Sequence, residues 1–220
     1  MASTVPKTKL NIKDRFLERS QAERYRDRYK SRRVKTHERE ITALTQLLQS
    51  IGKIDEIMDV ASGPGRFAPL LSAHSTRLIQ TDTSRHMLDL SREDYPLDPQ
   101  RGYYIQSDAA HMPLKDGCVD VLFCHRFLNH VVDPAVRVQI FSELRRVAKR
   151  YVIVSCLGLP RLIQMVRYTF ARIRFAPISG ERVEVPELIH DAEQAGLILT
   201  KRTPIRSFPS SAIYLTFSRG

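Results

Sequence analysis

Cysteine is scarce. Three occur, Cys118, Cys124 and Cys156, in a chain of 220 residues. An odd number with no C-x-x-C spacing argues against a disulfide framework and offers no metal-type pattern, so a reducing, cytoplasmic setting is expected. Long apolar runs are missing as well. No stretch approaches the roughly 18 residues of a membrane-spanning helix. The opening "MASTVPKTKLNIKD" lacks the apolar core of a secretory signal. Acidic charge is short: 24 Asp and Glu stand against 35 Lys and Arg, a formal net of +11. The imbalance is local. Residues 1–50 hold 13 basic and 6 acidic side chains, so +7 of the +11 lies there. Such an arm suits RNA or an acidic membrane surface. Its opposite charges are interleaved, however, with Glu23 and Asp27 among Arg24 and Arg28. That pattern favours a solvated helix held by pairs at helical spacing.

What is present is regular alternation. Residues 38–51, "EREITALTQLLQSI", set Ile41, Leu44, Leu47, Leu48 and Ile51 at 3.6-type spacing, a helix ended by Gly52. "EIMDVA", "RLIQTD", "GYYIQSD", "CVDVLFCH" and "RYVIVSC" read as five strands. Between them lie the helices "RFAPLLSAH", "SRHMLDLSRE" with Ser84 as N-cap, and "DPAVRVQIFSELRRVA" opened by Asp133 and Pro134. "VPELIHDAEQAGLIL" holds a late helix closed by Gly196, and "TKRTPIR" and "SAIYLTFSR" read as a final hairpin through "SFPSS". The expected fold is α/β: a doubly wound, seven-stranded, mostly parallel sheet with helices on both faces and the last strand antiparallel. The division is a basic helical arm over 1–37 and a domain over 38–220, with an insert after strand five at about 157–183.

Residues 57–67, "IMDVASGPGRF", pass abruptly from an apolar strand to a glycine turn. Glycine there lets a ligand reach the backbone. The dinucleotide fingerprint needs glycine at 61, 63 and 66, but Ala61 and Arg66 stand at two of these positions. No Gly-Lys-Ser/Thr follows, which excludes a Walker loop.

"MDVASGPGRF" resembles the first motif of class I S-adenosylmethionine (SAM) methyltransferases. "IQTDTSRHML", "YIQSDAAHMPLKDGCVDVLFC", "ELRRVAKRYVIVSC" and "PELIHDAEQAGLIL" resemble later stretches of that family, in order, over residues 55–217. The resemblance implies SAM as cofactor, S-adenosylhomocysteine (SAH) as product, and a site on the loops. Asp82, with Thr83 beside it, would take the ribose hydroxyls, since ionised acceptors bond strongly. Asp108 and the Ala109 backbone would read the adenine. Met87 and Met112 would pack on its faces, although both also suit the core. Asp59 would face the ammonium group. The backbone at Ala61, Gly63, Gly65 and His125 would line the methionyl pocket, with Ala61 expected at negative φ. Tyr25 and Tyr29 of the arm are expected to close over it, as early helices do in proteins it resembles.

The acceptor is narrowed by what is missing. Strand four does not lead into Asn/Asp-Pro-Pro-aromatic, and no Pro-Cys or Thr-Cys nucleophile occurs. A small-molecule acceptor is therefore expected, methylated on oxygen or nitrogen. "CHRFLNHVVD" offers His130 as a base for a hydroxyl acceptor, with His125 more suited to packing. In the insert, Leu162, Ile163, Val166, Phe170 and Ile173 with Arg167, Arg172 and Arg174 suit a substrate lid or a membrane surface, although packing onto the sheet is the expectation for most of them. An RNA methyltransferase using the basic arm and a non-catalytic SAM-binding regulator are the alternatives. Oligomeric state leaves no mark in the sequence.

Overall fold

The computed structural model describes residues 18–31, 33–158, 183–205 and 211–220. Helices α1 (Arg19–Ser31) and α2 (Val34–Ile51) come first. Then follow β1 (Glu56–Val60), α3 (Ala68–Ala73), β2 (Arg77–Asp82), α4 (Arg85–Asp94), β3 (Gly102–Gln106) and β4 (Val119–Cys124). A short 3-10 turn at Leu128–His130 leads to α5 (Pro134–Val147) and β5 (Ala148–Gly158). The chain closes with α6 (Val185–Gln194), β6 (Leu197–Pro204) and β7 (Ser211–Arg219).

The seven strands form one sheet in the order β3-β2-β1-β4-β5-β7-β6. The first five run parallel, and β7 lies antiparallel to both β5 and β6. The order reverses between β1 and β4. Crossovers to either side part there, which opens a crevice at the carboxyl ends of these strands.

Side-chain alternation builds two cores. Met58, Val60, Leu122 and Cys124 face Phe141, Leu144 and Leu188 of α5 and α6. Ile57, Val121 and Phe123 face Leu44, Leu47, Leu48, Phe67 and Leu71 on α2 and α3. Every residue of β4 is buried, as a central parallel strand requires. Each fully buried Leu or Phe contributes roughly 1.5–3 kcal/mol, so the α2 stripe alone fixes that helix on the sheet.

Local chemistry sets the helix starts. The Ser84 hydroxyl accepts from the Met87 amide, and the Asp133 carboxylate accepts from the Ala135 amide with Pro134 in the first turn. Three boundaries differ from the sequence reading. Helix α2 starts at Val34, not Glu38, because polar residues before the apolar stripe continue the helix without breaking it. Strand β5 starts at Ala148 and runs to Gly158, drawn out by pairing with β4 on one edge and β7 on the other. Strand β6 starts at Leu197, directly after Gly196 at φ 80°. The stretch at 159–182 and residues 206–210, which hold "SFPSS" up to Ser210, lie outside the described residues.

Helix α1 lies against α4. Ala22 packs with Met87 and Leu90, and Arg19 and Lys30 meet Glu93 and Asp94 at 2.8 Å each. The arm's described part is thus seated on the domain, and not wholly solvated.

Candidate functional site

The loop after β1 is held open by unusual backbone angles. Ala61, Gly63 and Gly65 have φ of 56°, 57° and 71°. Ala61 is therefore in the left-handed region, contrary to the negative φ expected of a residue with a Cβ. The turn is tied to β2, since the Ser62 amide donates to the Thr81 carbonyl at 2.9 Å. The two glycines do different things. A Cβ on Gly63 would lie 3.9 Å from Tyr25 Cε1 of α1, so this glycine faces the arm across the loop. A Cβ on Gly65 would come within 1.9 Å of Ser91 Oγ and 2.8 Å of Ser91 Cβ. Ser91 is buried and donates to Gln80 Oε1 at 2.5 Å, so it has no room to yield. Gly65 supplies the close approach of loop to α4 that the missing third glycine would otherwise give.

Asp82 ends β2 and spans the crevice. Its Oδ2 accepts from the Gly63 amide at 3.0 Å, and its Oδ1 accepts from the Ser84 amide at 2.9 Å. Burial pushes this carboxyl up, while amides of Ser84, Gly63 and Thr83 pull it down. Asp59, on β1, is 1 % exposed, and its Oδ2 has no hydrogen-bond partner. Burial pushes Asp59 up to about 8, against the pull of Arg66, and the nearby Asp82 adds to the rise. A cation seated beside it would restore its charge.

The strand order places the ends of β3, β2, β1 and β4 side by side. Past β3, Asp108 accepts from the Ala110 amide at 3.1 Å, which turns the chain and buries Ala109. Thr83 is exposed, and its carbonyl accepts from Gln106. Met87 packs under α1 with Ala22, and Met112 lies in the α5-side core, so both serve the interior. Past β4, the side chain of His125 is buried among the rings of Phe67, Phe123 and Tyr214, with the Phe67 centroid at 4.6 Å. Burial and the charge of Arg66 push it down to about 3, so it is neutral. His130 is exposed, in the 3-10 turn beyond β4.

The sequence reading missed a charged node above the α2 core. Glu40 of α2 is 1 % exposed. Its Oε2 accepts from Arg66 Nη1 at 2.7 Å, and its Oε1 accepts from Arg126 Nη2. His125 Nε2 lies 3.5 Å away. Arg126 Nη1 donates to the Tyr29 hydroxyl at 3.3 Å, and the Arg66 guanidinium lies 4.2 Å over the Tyr29 ring. One helix, the glycine loop, the turn after β4 and the arm thus meet at one carboxylate. A signal existed: Glu40 stands four residues before Leu44 on the apolar stripe of α2, where an acid must find partners.

Comparison with known proteins agrees with this geometry. Residues 58–155 match the family model described as a methyltransferase domain. No curated protein sequence matches the chain significantly. Among solved structures, magnesium protoporphyrin IX methyltransferase (ChlM) from Synechocystis PCC 6803 with bound SAH is 16 % identical. That match covers 95 % of this chain and 98 % of the other, with a TM-score of 0.76. A SAM-dependent methyltransferase from Aquifex aeolicus is 18 % identical over 92 % and 99 %, at 0.66. The N-methyltransferase NodS from Bradyrhizobium japonicum WM9 is 14 % identical over 83 % and 96 %, at 0.61. At these identities the likeness speaks to the fold.

Proposed function

From a chain that carries a methyltransferase domain of the SAM-dependent, Rossmann-like kind, we propose transfer of a methyl group to a small-molecule acceptor. The observation that carries the reading is Asp59. A buried carboxyl with an unpartnered oxygen, beside a loop held at positive φ by Ala61, Gly63 and Gly65, calls for a cationic group. The ammonium of SAM is such a group. Asp82 keeps acceptor capacity beyond its amide contacts and would hold the ribose, with Thr83 beside it. Asp108 and the Ala109 amide would take the adenine, with Met87 packed behind. The backbone at Ala61, Gly63, Gly65 and His125 would enclose the methionyl end. Bound SAM supplies a methyl group activated on a sulfonium. The chain's own part is orientation and exclusion of water.

The ion pairs of Arg19 and Lys30 with Glu93 and Asp94 support the small-molecule reading over an RNA-binding arm. They spend part of the arm's charge within the molecule.

The test is calorimetry of SAM and SAH on the folded protein. Binding in the low-micromolar class, about 8 kcal/mol, is expected. Asp82→Ala should weaken it by about 1.5–3 kcal/mol through loss of charge-assisted bonds. A folded wild type that binds neither ligand overturns the reading. Labelled SAM with a cell extract, read by mass spectrometry, then identifies the product.

His130, beyond β4 where acceptors sit in open sheets, would take the proton of a hydroxyl acceptor. His130→Ala should lower turnover by about 10²–10⁴. SAM affinity should stay within about twofold, under roughly 0.5 kcal/mol. Full turnover by the variant would assign proton removal elsewhere or point to an amine acceptor.

A further inference from the structure

We propose that the free edge of β3 pairs with β3 of a second copy of this chain, antiparallel, about a two-fold axis at Tyr104.

Among the described residues the sheet has two edges, β3 and β6. An edge strand offers open N–H and C=O groups to any chain that can pair. The two edges differ in chemistry. Strand β6 carries exposed Lys201 and Arg202, a shift of register between Leu199 and Lys201, and Pro204 at its end. Charge, irregular pairing and proline each oppose a further strand. A two-fold on β6 would also bring like charges together. Strand β3, "GYYIQ", has no charge and no proline, and its register on β2 is unbroken from Gly102 to Gln106.

Backbone directions fix the pairing. The Leu78 amide donates to the Arg101 carbonyl, and the Ser107 amide donates to the Asp82 carbonyl. Residues of a strand alternate in the side to which their N–H and C=O point. Tyr103 and Ile105 therefore bond to β2, while Gly102, Tyr104 and Gln106 face outward. The Gly102 amide is spent on the Asp98 carbonyl. Among the described residues, no strand takes the Gly102 carbonyl or the backbone groups of Tyr104 and Gln106. Turned about Tyr104, this row matches itself. The two Tyr104 residues exchange both bonds, and each Gln106 amide donates to the carbonyl of Gly102 of the partner subunit.

The side chains agree. Tyr103 stands beside Ile79 of β2, which packs on the α5-side core, so Tyr103 and Ile105 share that face. Tyr103 is 48 % exposed there, and Ile105 is half-buried. In this register each Tyr103 lies opposite the partner's Ile105, in the closely spaced kind of pair where side chains meet. The two copies form one apolar strip. On the other face the Tyr104 rings come side by side. Arg92, 4.5 Å from the Tyr104 ring, has its charge paired with Asp89 at 3.1 Å. Five residues a side make a small contact, so the dimer belongs to the weak, transient class.

Sedimentation velocity of the full chain should show monomer and dimer in exchange, half dimeric on the order of 100 µM. Tyr103→Lys should raise the dissociation constant about tenfold or more. Two cysteine variants, each with Cys118→Ser to remove the half-buried native thiol, test the register. Tyr104→Cys should form a disulfide between subunits under air, because its Cα atoms would stand about 5.5 Å apart. Tyr103→Cys should not, since its copies would be diagonal neighbours at about 7–8 Å. Should Tyr103→Lys fail to fold, the cysteine pair decides. A wild type monomeric up to about 500 µM overturns the inference. So does a dimer as tight in folded Tyr103→Lys, or a disulfide formed as readily at 103 as at 104.

Discussion

Glu40→Ala should cost about 3–5 kcal/mol of folding stability, the size seen when one partner of a buried ion pair is removed. Two buried guanidinium groups would remain, with Tyr29 and no carboxylate between them. The loss is structural at three points, since Glu40 joins α2 to the glycine loop and to the turn after β4. Glu40→Gln keeps the shape and one acceptor oxygen, with its NH2 set against the other guanidinium, and should lose less than Glu40→Ala. Burial pushes the Glu40 carboxyl up, but His125, Arg66 and Arg126 outweigh it and hold it well below the usual range. His125 is itself neutral, so the counter-charge at neutral pH comes from the two arginines. A carboxyl depressed on folding contributes stability that is complete above its unfolded value of 4.5 and lost as pH falls below it. Urea denaturation at pH 7 and pH 4 checks both statements. A cost under about 1 kcal/mol at pH 7 would mean that water, not Glu40, balances the arginines.

Asp59→Asn should do the opposite, making the ligand-free protein more stable by about 2–4 kcal/mol at pH 8. The folded carboxyl sits at about 8 against an ordinary 3.8. The native state thus holds more protons than the unfolded chain between those values, and wild-type stability falls as pH rises through that window. Asparagine has no such titration, so the gap between variant and wild type should widen from pH 4 to pH 8. SAM binding should weaken more than about tenfold, or 1.4 kcal/mol, because the ammonium loses its acid. In wild type near pH 7, binding should release close to one proton, read by calorimetry in buffers of different ionisation heat. A variant less stable than wild type at pH 8 would show that Asp59 is ionised and held by the fold.

Much of the fold is legible in the sequence for a physical reason. "CVDVLFC" is apolar without alternation, and only a strand covered on both faces needs that. Ser84 and Asp133 announce their helices because capping is chemistry within four residues. What stays hidden is long-range. Arg137 is buried and meets Asp191 at 2.5 Å across 54 positions, joining α5 to α6, and nothing local to either residue says so. The same holds for Glu40 with Arg126, 86 positions apart. Ala61 at positive φ is hidden for another reason. The Ser62–Thr81 hydrogen bond imposes the turn from outside, against the preference of alanine. At the candidate site, "MDVASGPGRF" and the aspartates after β2 and β3 stand out as types in sequence. Asp82 as a clasp on the Gly63 amide, and the meeting of Arg66 and Arg126 at Glu40, emerge only from coordinates.

The position of Tyr25 bears on time as well as on shape. Its ring stands over the Cβ side of Gly63, midway along a helix fastened to α4 by a small apolar patch and by ion pairs at the surface. A molecule laid on that glycine and enclosed by that ring enters before the helix settles and leaves after it lifts. Spent cofactor has to leave in every cycle. On the proposed function, the slow step of each cycle would be the detachment of α1, a motion held by exposed charge pairs that salt weakens, and methyl transfer would be the short interval inside it.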